Sequence, residues 1–169
     1  MSKMLERINQ AAEAEAGSMF RNCCGSAVWA ARMVASRPFV SESELLETAA
    51  AIWKDLDQSD WLEAFAAHPM IGETKSAPGQ QVLSAKWSAG EQSGMSSADE
   101  LLKQELAGAN RAYYEKFGFI FIVCATGKTP AEMLELCRTR FSNNREREVC
   151  IAADEQMKIT EIRLRKLVS

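Results

Sequence analysis

Apolar side chains recur at three- and four-residue intervals along most of the chain, the spacing that gathers them on one stripe of an α-helix. Val28, Trp29, Met33 and Val34 mark one helix between Ser26 and Ser36, and Arg37-Pro38-Phe39 closes it. Ser41 and Glu44 stand three apart, a capping box ahead of Leu45, Leu46, Trp53 and Leu56. A third helix covers about Ser59 to Ala67 and ends at His68, because Pro69 disfavours helical geometry in the residue before it. Ser97 and Glu100 form another capping box, opening a helix whose Leu102, Leu106, Ala109, Tyr113 and Phe117 share a stripe and which Gly118 ends. Thr129, Pro130 and Glu132 combine an N-cap, a proline at the first helical position and a glutamate at the third, so a helix runs from there to about Ser142. The last helix begins near Asn144 and continues almost to the end.

Two stretches depart from this pattern. Thr74 to Met95 is rich in Gly, Ser, Gln and Ala with little periodicity, which predicts a long connection holding at most short helical turns. Loops beyond ~12–15 residues in compact domains are usually functional or disordered. Phe119 to Ala125 is a continuous apolar run and the one strand candidate, but a single strand has nothing to pair with. It therefore reads as a buried extended or irregular segment. Its backbone N–H and C=O groups must find partners, and a polar ligand is one candidate. The expected fold is all-α: a single-domain helical bundle over residues 1–169, with one long polar loop and a buried irregular apolar segment. No internal repeat is visible.

Composition narrows the class. At 169 residues, 47% hydrophobic and 25% charged, the chain is one ordinary globular domain by length and not a disordered one. A net charge of −3 and the lack of a basic, aromatic-interleaved stripe argue against nucleic acid as a partner. No apolar run approaches the ~20 residues of a membrane span, and the first residues do not form a signal-peptide core. Arg165-Lys166-Leu167-Val168-Ser169 does not read as a peroxisomal signal, so the cytoplasm is the expected location. Five cysteines (Cys23, Cys24, Cys124, Cys137 and Cys150) show no Cys-x-x-Cys spacing and are most simply small buried hydrophobes. With one histidine, a zinc site would need scattered thiolates or carboxylates to converge, and no metal is expected.

That histidine, His68, is the obvious candidate for proton chemistry near neutrality. Held at the lip of a helix by Pro69, its ring has a fixed direction and can face a cavity; the plainer alternative is a helix-ending ring bonded to a nearby carbonyl. Arg163 is the second candidate. On the last helix, Val149, Ala152, Ala153, Met157, Ile159, Thr160, Leu164 and Leu167 fall within one arc at ~100° per residue, while Asp154, Lys158, Glu161 and Arg165 lie opposite. Arg163 projects into the apolar arc, with Gln156 one or two turns away. A guanidinium aimed at a core must be paired. The pairing is either an internal salt bridge, or a side chain snorkelling past the helix end, or an anionic or carbonyl-rich ligand met by the planar fork. The best-placed carboxylate is Glu91 on the polar loop, in Trp87-Ser88-Ala89-Gly90-Glu91-Gln92.

Other motifs fail. Thr126-Gly127-Lys128-Thr129 looks like the end of a phosphate-binding loop, but Ile122 stands where its first glycine is required. No Gly-x-Ser-x-Gly elbow is present, and no cysteine stands out as a nucleophile paired with His68.

Taken in order, His68-Pro69 with Gly72, Ser88-x-x-Glu91-Gln92-Ser93, Phe117-Gly118-Phe119-Ile120-Phe121-Ile122-Val123-Cys124-Ala125 and Ile162-Arg163-Leu164 resemble the signature of one family. It is 2-oxo-4-hydroxy-4-carboxy-5-ureidoimidazoline (OHCU) decarboxylase, of the urate-to-allantoin pathway. Cys24-Gly25-Ser26 with Trp29, Arg37-Pro38-Phe39, and Asn110-x-x-Tyr113 with Lys116 extend the resemblance over nearly the whole chain. Met70-Ile71-Gly72-Glu73 is more similar to the bacterial branch than to the animal one. The resemblance implies an all-helical, cofactor-free enzyme, often a homodimer, acting on a small molecule. It implies that His68 is the catalytic histidine and that Glu91 and Arg163 hold substrate. Pro69, Ser88, Ala89, Gly90 and Gln92, with Phe121, Ile122, Val123, Cys124 and Ala125, would line the pocket, partly through backbone groups.

The chemistry is compatible with those residues. Loss of CO2 leaves an enolate-type anion, so no pyridoxal or thiamine electron sink is required. The site must supply donors for oxygen charge and a proton on one face, which gives the (S) product. Two rivals stand beside this reading: a hydrolase of a related ureido or hydantoin ring, and a non-catalytic helical interaction module.

Overall fold

The protein is described by a computed structural model covering residues 2–71, 87, 90 and 100–169. The described residues form eight α-helices and no strand: α1 (Lys3–Gln10), α2 (Glu13–Cys23), α3 (Ala27–Ala35), α4 (Glu42–Lys54), α5 (Gln58–Ala66), α6 (Glu100–Phe117), α7 (Pro130–Arg140) and α8 (Arg145–Val168). The all-helical expectation holds. The polar stretch from Thr74 to Met95 lies outside the described residues except for Trp87 and Gly90, and so does Ser97 of the expected second capping box.

Local signals explain most helix ends. The Thr129 box has both arms: Glu132 N–H donates to Thr129 Oγ1 at 3.2 Å, and Thr129 N–H donates to Glu132 Oε2 at 2.7 Å. At α4 the box is shifted. Ser41 Oγ accepts from Glu44 N–H at 3.1 Å, but Glu44 Oε2 reaches back to the N–H of Val40, at 2.6 Å, one residue earlier than expected. Gly118 ends α6 with a φ of 77°, a left-handed conformation that favours glycine. The helices α1 and α2 were not expected from the pattern. Ser2 caps α1 through a 3.1 Å bond from Leu5 N–H, but α1 buries only Leu5 and Ile8. No side chain caps α2 at Ala12, and its core positions include the small Ala16, so α2 carries no strong stripe.

The chain divides into two compact units, Met1–Ala64 with Met157–Ser169, and Phe65–Gln156. In the first, α2 packs on α3, α3 on α4 and α1 on α2. Trp29 is its anchor: its indole N–H donates to Ala49 O at 3.1 Å, and Phe20 meets it edge-on with centroids 6.1 Å apart. Arg37-Pro38-Phe39 has a structural task here. Arg37 Nη1 donates to the carbonyls of Ile8 in α1 (2.8 Å) and of Ala11, which caps its C-terminus (2.7 Å), and the Phe39 backbone exchanges two hydrogen bonds with the Asn9 side chain. In the second unit, α6 packs on α7, and Tyr113, Phe117, Phe119 and Phe121 form an aromatic cluster.

The amphipathic arc of α8 is as expected, with Val149, Ala152, Ala153, Ile159, Thr160, Leu164 and Leu167 buried and Asp154, Lys158 and Arg165 exposed. Met157 is half-buried. Four of the five cysteines are buried, but Cys150 is exposed. It follows Val149 by one position, and a step of ~100° carries it off the apolar arc.

Candidate active site

His68 follows α5, and its N–H donates to Phe65 O at 3.1 Å, closing the turn that Pro69 terminates. Two neighbours fix this turn. Ring atom Nε2 lies 2.8 Å from Oε1 of Gln156, a fully buried residue of α8. Just beyond Pro69, the Ile71 carbonyl accepts from Asn110 Nδ2 of α6 at 3.1 Å. Asn110 is itself buried, and its Oδ1 is without a hydrogen-bond partner. Gln156 was visible in the sequence only as a polar residue on an apolar arc. Nothing in local spacing ties it to a histidine 88 positions earlier.

The apolar segment after α6 is buried and irregular, as its sequence predicts: Phe121, Ile122, Val123, Cys124 and Ala125 are all buried and belong to no helix or strand. Its backbone groups are met by side chains. Arg140 Nη1 donates to Ile122 O at 2.8 Å, Cys124 N–H donates to Glu155 Oε2 at 2.7 Å, and Lys128 Nζ donates to Cys124 O at 2.7 Å. Such groups, buried without partners, would destabilise the fold. The Lys128 bond also accounts for the phosphate-loop look-alike. The lysine serves a local carbonyl, and Thr129 caps α7.

Behind this segment is a buried polar network. Glu148, 0% exposed, accepts from Arg140 Nε at 2.6 Å and Tyr113 OH at 2.5 Å through Oε1, and from Asn143 Nδ2 at 2.7 Å through Oε2. Burial, reinforced by the bond to Glu148, pushes the Tyr113 phenol well above its usual range, so it stays a donor. The Arg140 guanidinium also lies over the Phe121 ring, 4.6 Å from its centroid. Arg140, Glu148 and Glu155 were not singled out from sequence, and Tyr113 only as a stripe position and as part of the family resemblance. The signal available was a pair of opposite charges flanking the short α7–α8 connection, which does not by itself distinguish a buried pair from a surface one.

Arg163 is 2% exposed, so its head does not snorkel to water. Its Nη1 donates to Asn22 O at 3.4 Å, and within the same unit the Cys24 thiol lies near its charge. Burial pushes that thiol up to about 11, against a lowering backbone bond to Ser26, a hydrogen bond with Thr160 and the Arg163 charge. Asn22 Oδ1 is buried without a partner.

Of the other expected lining residues, Pro69 is half-buried and Gly90 exposed, while Ser88, Ala89, Glu91 and Gln92 lie outside the described residues. His68 and Phe121–Ala125 belong to the unit Phe65–Gln156, and Arg163 to the unit Met1–Ala64 with Met157–Ser169. Among the described residues, no three His, Cys, Asp or Glu side chains gather closely enough to hold a metal ion. No described helix is long and apolar enough to cross a membrane.

Comparison with known proteins adds what geometry does not. A family model described as OHCU decarboxylase matches residues 9–165. The chain is 49% identical, over 151 residues, to the uric acid degradation bifunctional protein TTL of Arabidopsis thaliana, a match covering 87% of this chain and 45% of that protein. It is 29% identical to the uric acid degradation bifunctional protein PucL of Bacillus subtilis (strain 168), covering 90% of this chain and 29% of that one. The chain thus spans less than half the length of these two relatives. A crystal structure of OHCU decarboxylase in the presence of (S)-allantoin superposes with a TM-score of 0.75 at 42% identity, covering 88% of this chain and 96% of that chain.

Proposed function

Because the chain belongs to the OHCU decarboxylase family, we propose that it catalyses the cofactor-independent decarboxylation of 2-oxo-4-hydroxy-4-carboxy-5-ureidoimidazoline to (S)-allantoin in urate breakdown. The observation that carries this is the family match over residues 9–165. It favours a carboxy-lyase over the two rivals, a ring hydrolase and a non-catalytic helical module. It also supports reading residues 1–169 as one OHCU decarboxylase-like domain.

In the reaction, the bond between the ring carbon and its carboxylate breaks and CO2 leaves. The bonding pair moves into the ring, and the pair of the adjacent C=N moves to nitrogen, which takes a proton. The neighbouring carbon takes a second proton as the hydroxyl gives one up, so the carbon that lost CO2 becomes a carbonyl and one proton comes from solvent. His68 is the group that exchanges protons with the substrate; the chain contains no other imidazole. Arg163 and backbone N–H groups of Phe121, Ile122, Val123 and Ala125 stabilise oxygen charge, while the Cys124 N–H is committed to Glu155 and lines the site without donating. Glu91 accepts a ring or ureido N–H and fixes orientation. Pro69, Ser88, Ala89, Gly90 and Gln92 complete the lining. The buried state of Arg163 and of the 121–125 segment supports these roles, since donors held away from water act on charge more strongly.

Two finer parts of the reading are a homodimer and a cytoplasmic location. The first rests on the family resemblance and is checked by light scattering coupled to gel filtration. The second is supported by five cysteines that are all reduced thiols, as a reducing compartment favours.

The test of the activity uses freshly generated substrate, which also decays without enzyme. The protein is expected to release CO2 and to accelerate the appearance of one enantiomer in circular dichroism. Ring opening without CO2 release would establish the hydrolase instead. A melting temperature unmoved by (S)-allantoin up to its solubility, with no acceleration, would favour the module.

A further inference from the structure

The contact between His68 and Gln156 determines more than ring position. Nε2 is 2.8 Å from Oε1, and an amide oxygen accepts hydrogen bonds without donating them. Nε2 therefore carries the proton, and in the neutral ring the lone pair belongs to Nδ1. Both ends of this bond are anchored. Gln156 is fully buried on the 24-residue helix α8, while the His68 turn is closed by its own N–H to Phe65 O and tied to α6 by Asn110 through Ile71 O.

We propose that Gln156 is a positioning residue that holds His68 as the Nε2–H tautomer and so fixes the direction in which the ring presents its lone pair. The identity of the substrate rests on the decarboxylase reading; the tautomer does not. The choice of an amide is consistent with such a role. A carboxylate at this place would stabilise the imidazolium and hold the proton, whereas a neutral acceptor orients the ring and leaves it able to take a proton and return it. Gln156 acts through the ring and need not touch the substrate.

His68 is the only histidine of the chain, so a nitrogen-15-labelled sample shows a single imidazole in long-range proton–nitrogen spectra. With the ring neutral, the wild-type protein is expected to show a protonated Nε2 and a pyridine-type Nδ1. Gln156→Met keeps the length of the side chain and removes the acceptor. It is expected to lose the tautomer preference and to lower kcat by ~10-fold or more, with KM within about twofold, because general acid–base catalysis depends on the oriented ring. Gln156→Glu replaces the neutral acceptor by a charged one and is expected to keep Nε2 protonated while holding the ring as imidazolium over a wider pH range, which also serves if Gln156→Met does not fold. A wild-type ring protonated on Nδ1 overturns the proposal. So does a Gln156→Met protein with wild-type far-ultraviolet dichroism that keeps both tautomer and kcat. A protein with the Nε2–H ring but no decarboxylase activity would uphold the tautomer and overturn the substrate reading alone.

Discussion

Arg140 and Glu148 form an ion pair 2.6 Å long in which the carboxylate is wholly buried and the same guanidinium donates to the backbone of Ile122 at 2.8 Å. Removing one partner of a buried pair leaves the other charge without compensation, at a cost of about 3–5 kcal/mol. Arg140→Met is expected to lower unfolding stability by that order in urea titrations. Adding Glu148→Gln to it should return part of the loss, because the orphaned charge is then gone. A single variant as stable as wild type would show that the pair contributes nothing to the fold.

His68→Ala is expected to abolish enzymatic acceleration while leaving the helical far-ultraviolet signal intact. The side chain is only half-buried and ends a helix, so its truncation leaves no large cavity. Residual acceleration at the wild-type rate would remove His68 from the mechanism.

Arg163→Met keeps most of the volume of a side chain that is 2% exposed and removes its charge. If Arg163 meets oxygen charge on the substrate, activity should fall ~10²-fold or more, the usual effect of losing one such donor. Stability should change little or rise, since apolar replacement of a buried charge is often neutral or stabilising. Gained stability with full activity would make Arg163 a purely structural residue.

The Cys24 thiol titrates near 9 in the unfolded chain and is raised to about 11 by burial. Between these values the unfolded chain has lost a proton that the folded chain keeps. The contribution is therefore complete below pH 9 and is lost as pH rises toward 11, by up to about 1.4 kcal/mol per unit. Urea midpoints measured at pH 8 and 10 should drop less in Cys24→Ala than in wild type. Cys137, raised likewise to about 11 by burial, retains part of the fall. Equal drops in both proteins would exclude Cys24 as a source.

The sequence reveals periodicity within an element far better than pairing between elements. Thr129 and Glu132 announce the start of α7 because both arms of the cap lie within three residues. The arc of α8 and the oddity of Arg163 follow from the helical repeat alone. The irregular segment is legible because seven consecutive apolar residues have no second strand to join. What holds it is not legible, since the bond from Arg140 to Ile122 spans 18 positions and that from Cys124 to Glu155 spans 31. The His68–Gln156 contact is hidden for the same reason, α2 because Ala12 offers no cap and Ala16 little apolar weight, and α1 because its eight residues bury only Leu5 and Ile8. Of the expected site, His68 and Arg163 are traceable to their residue type and place, whereas the loop carrying Glu91 falls outside the described residues.

The stretch from Phe119 to Ala125 hangs from its surroundings by fastenings on its main chain at Ile122 and Cys124. One oily side chain can therefore replace another there without disturbing what secures it. Adding or deleting a single amino acid is a different matter, because every carbonyl and amide beyond that point would slide out of register with its fastener together. Among descendants of this chain, the tolerated variation in this stretch should lie in spelling and not in length.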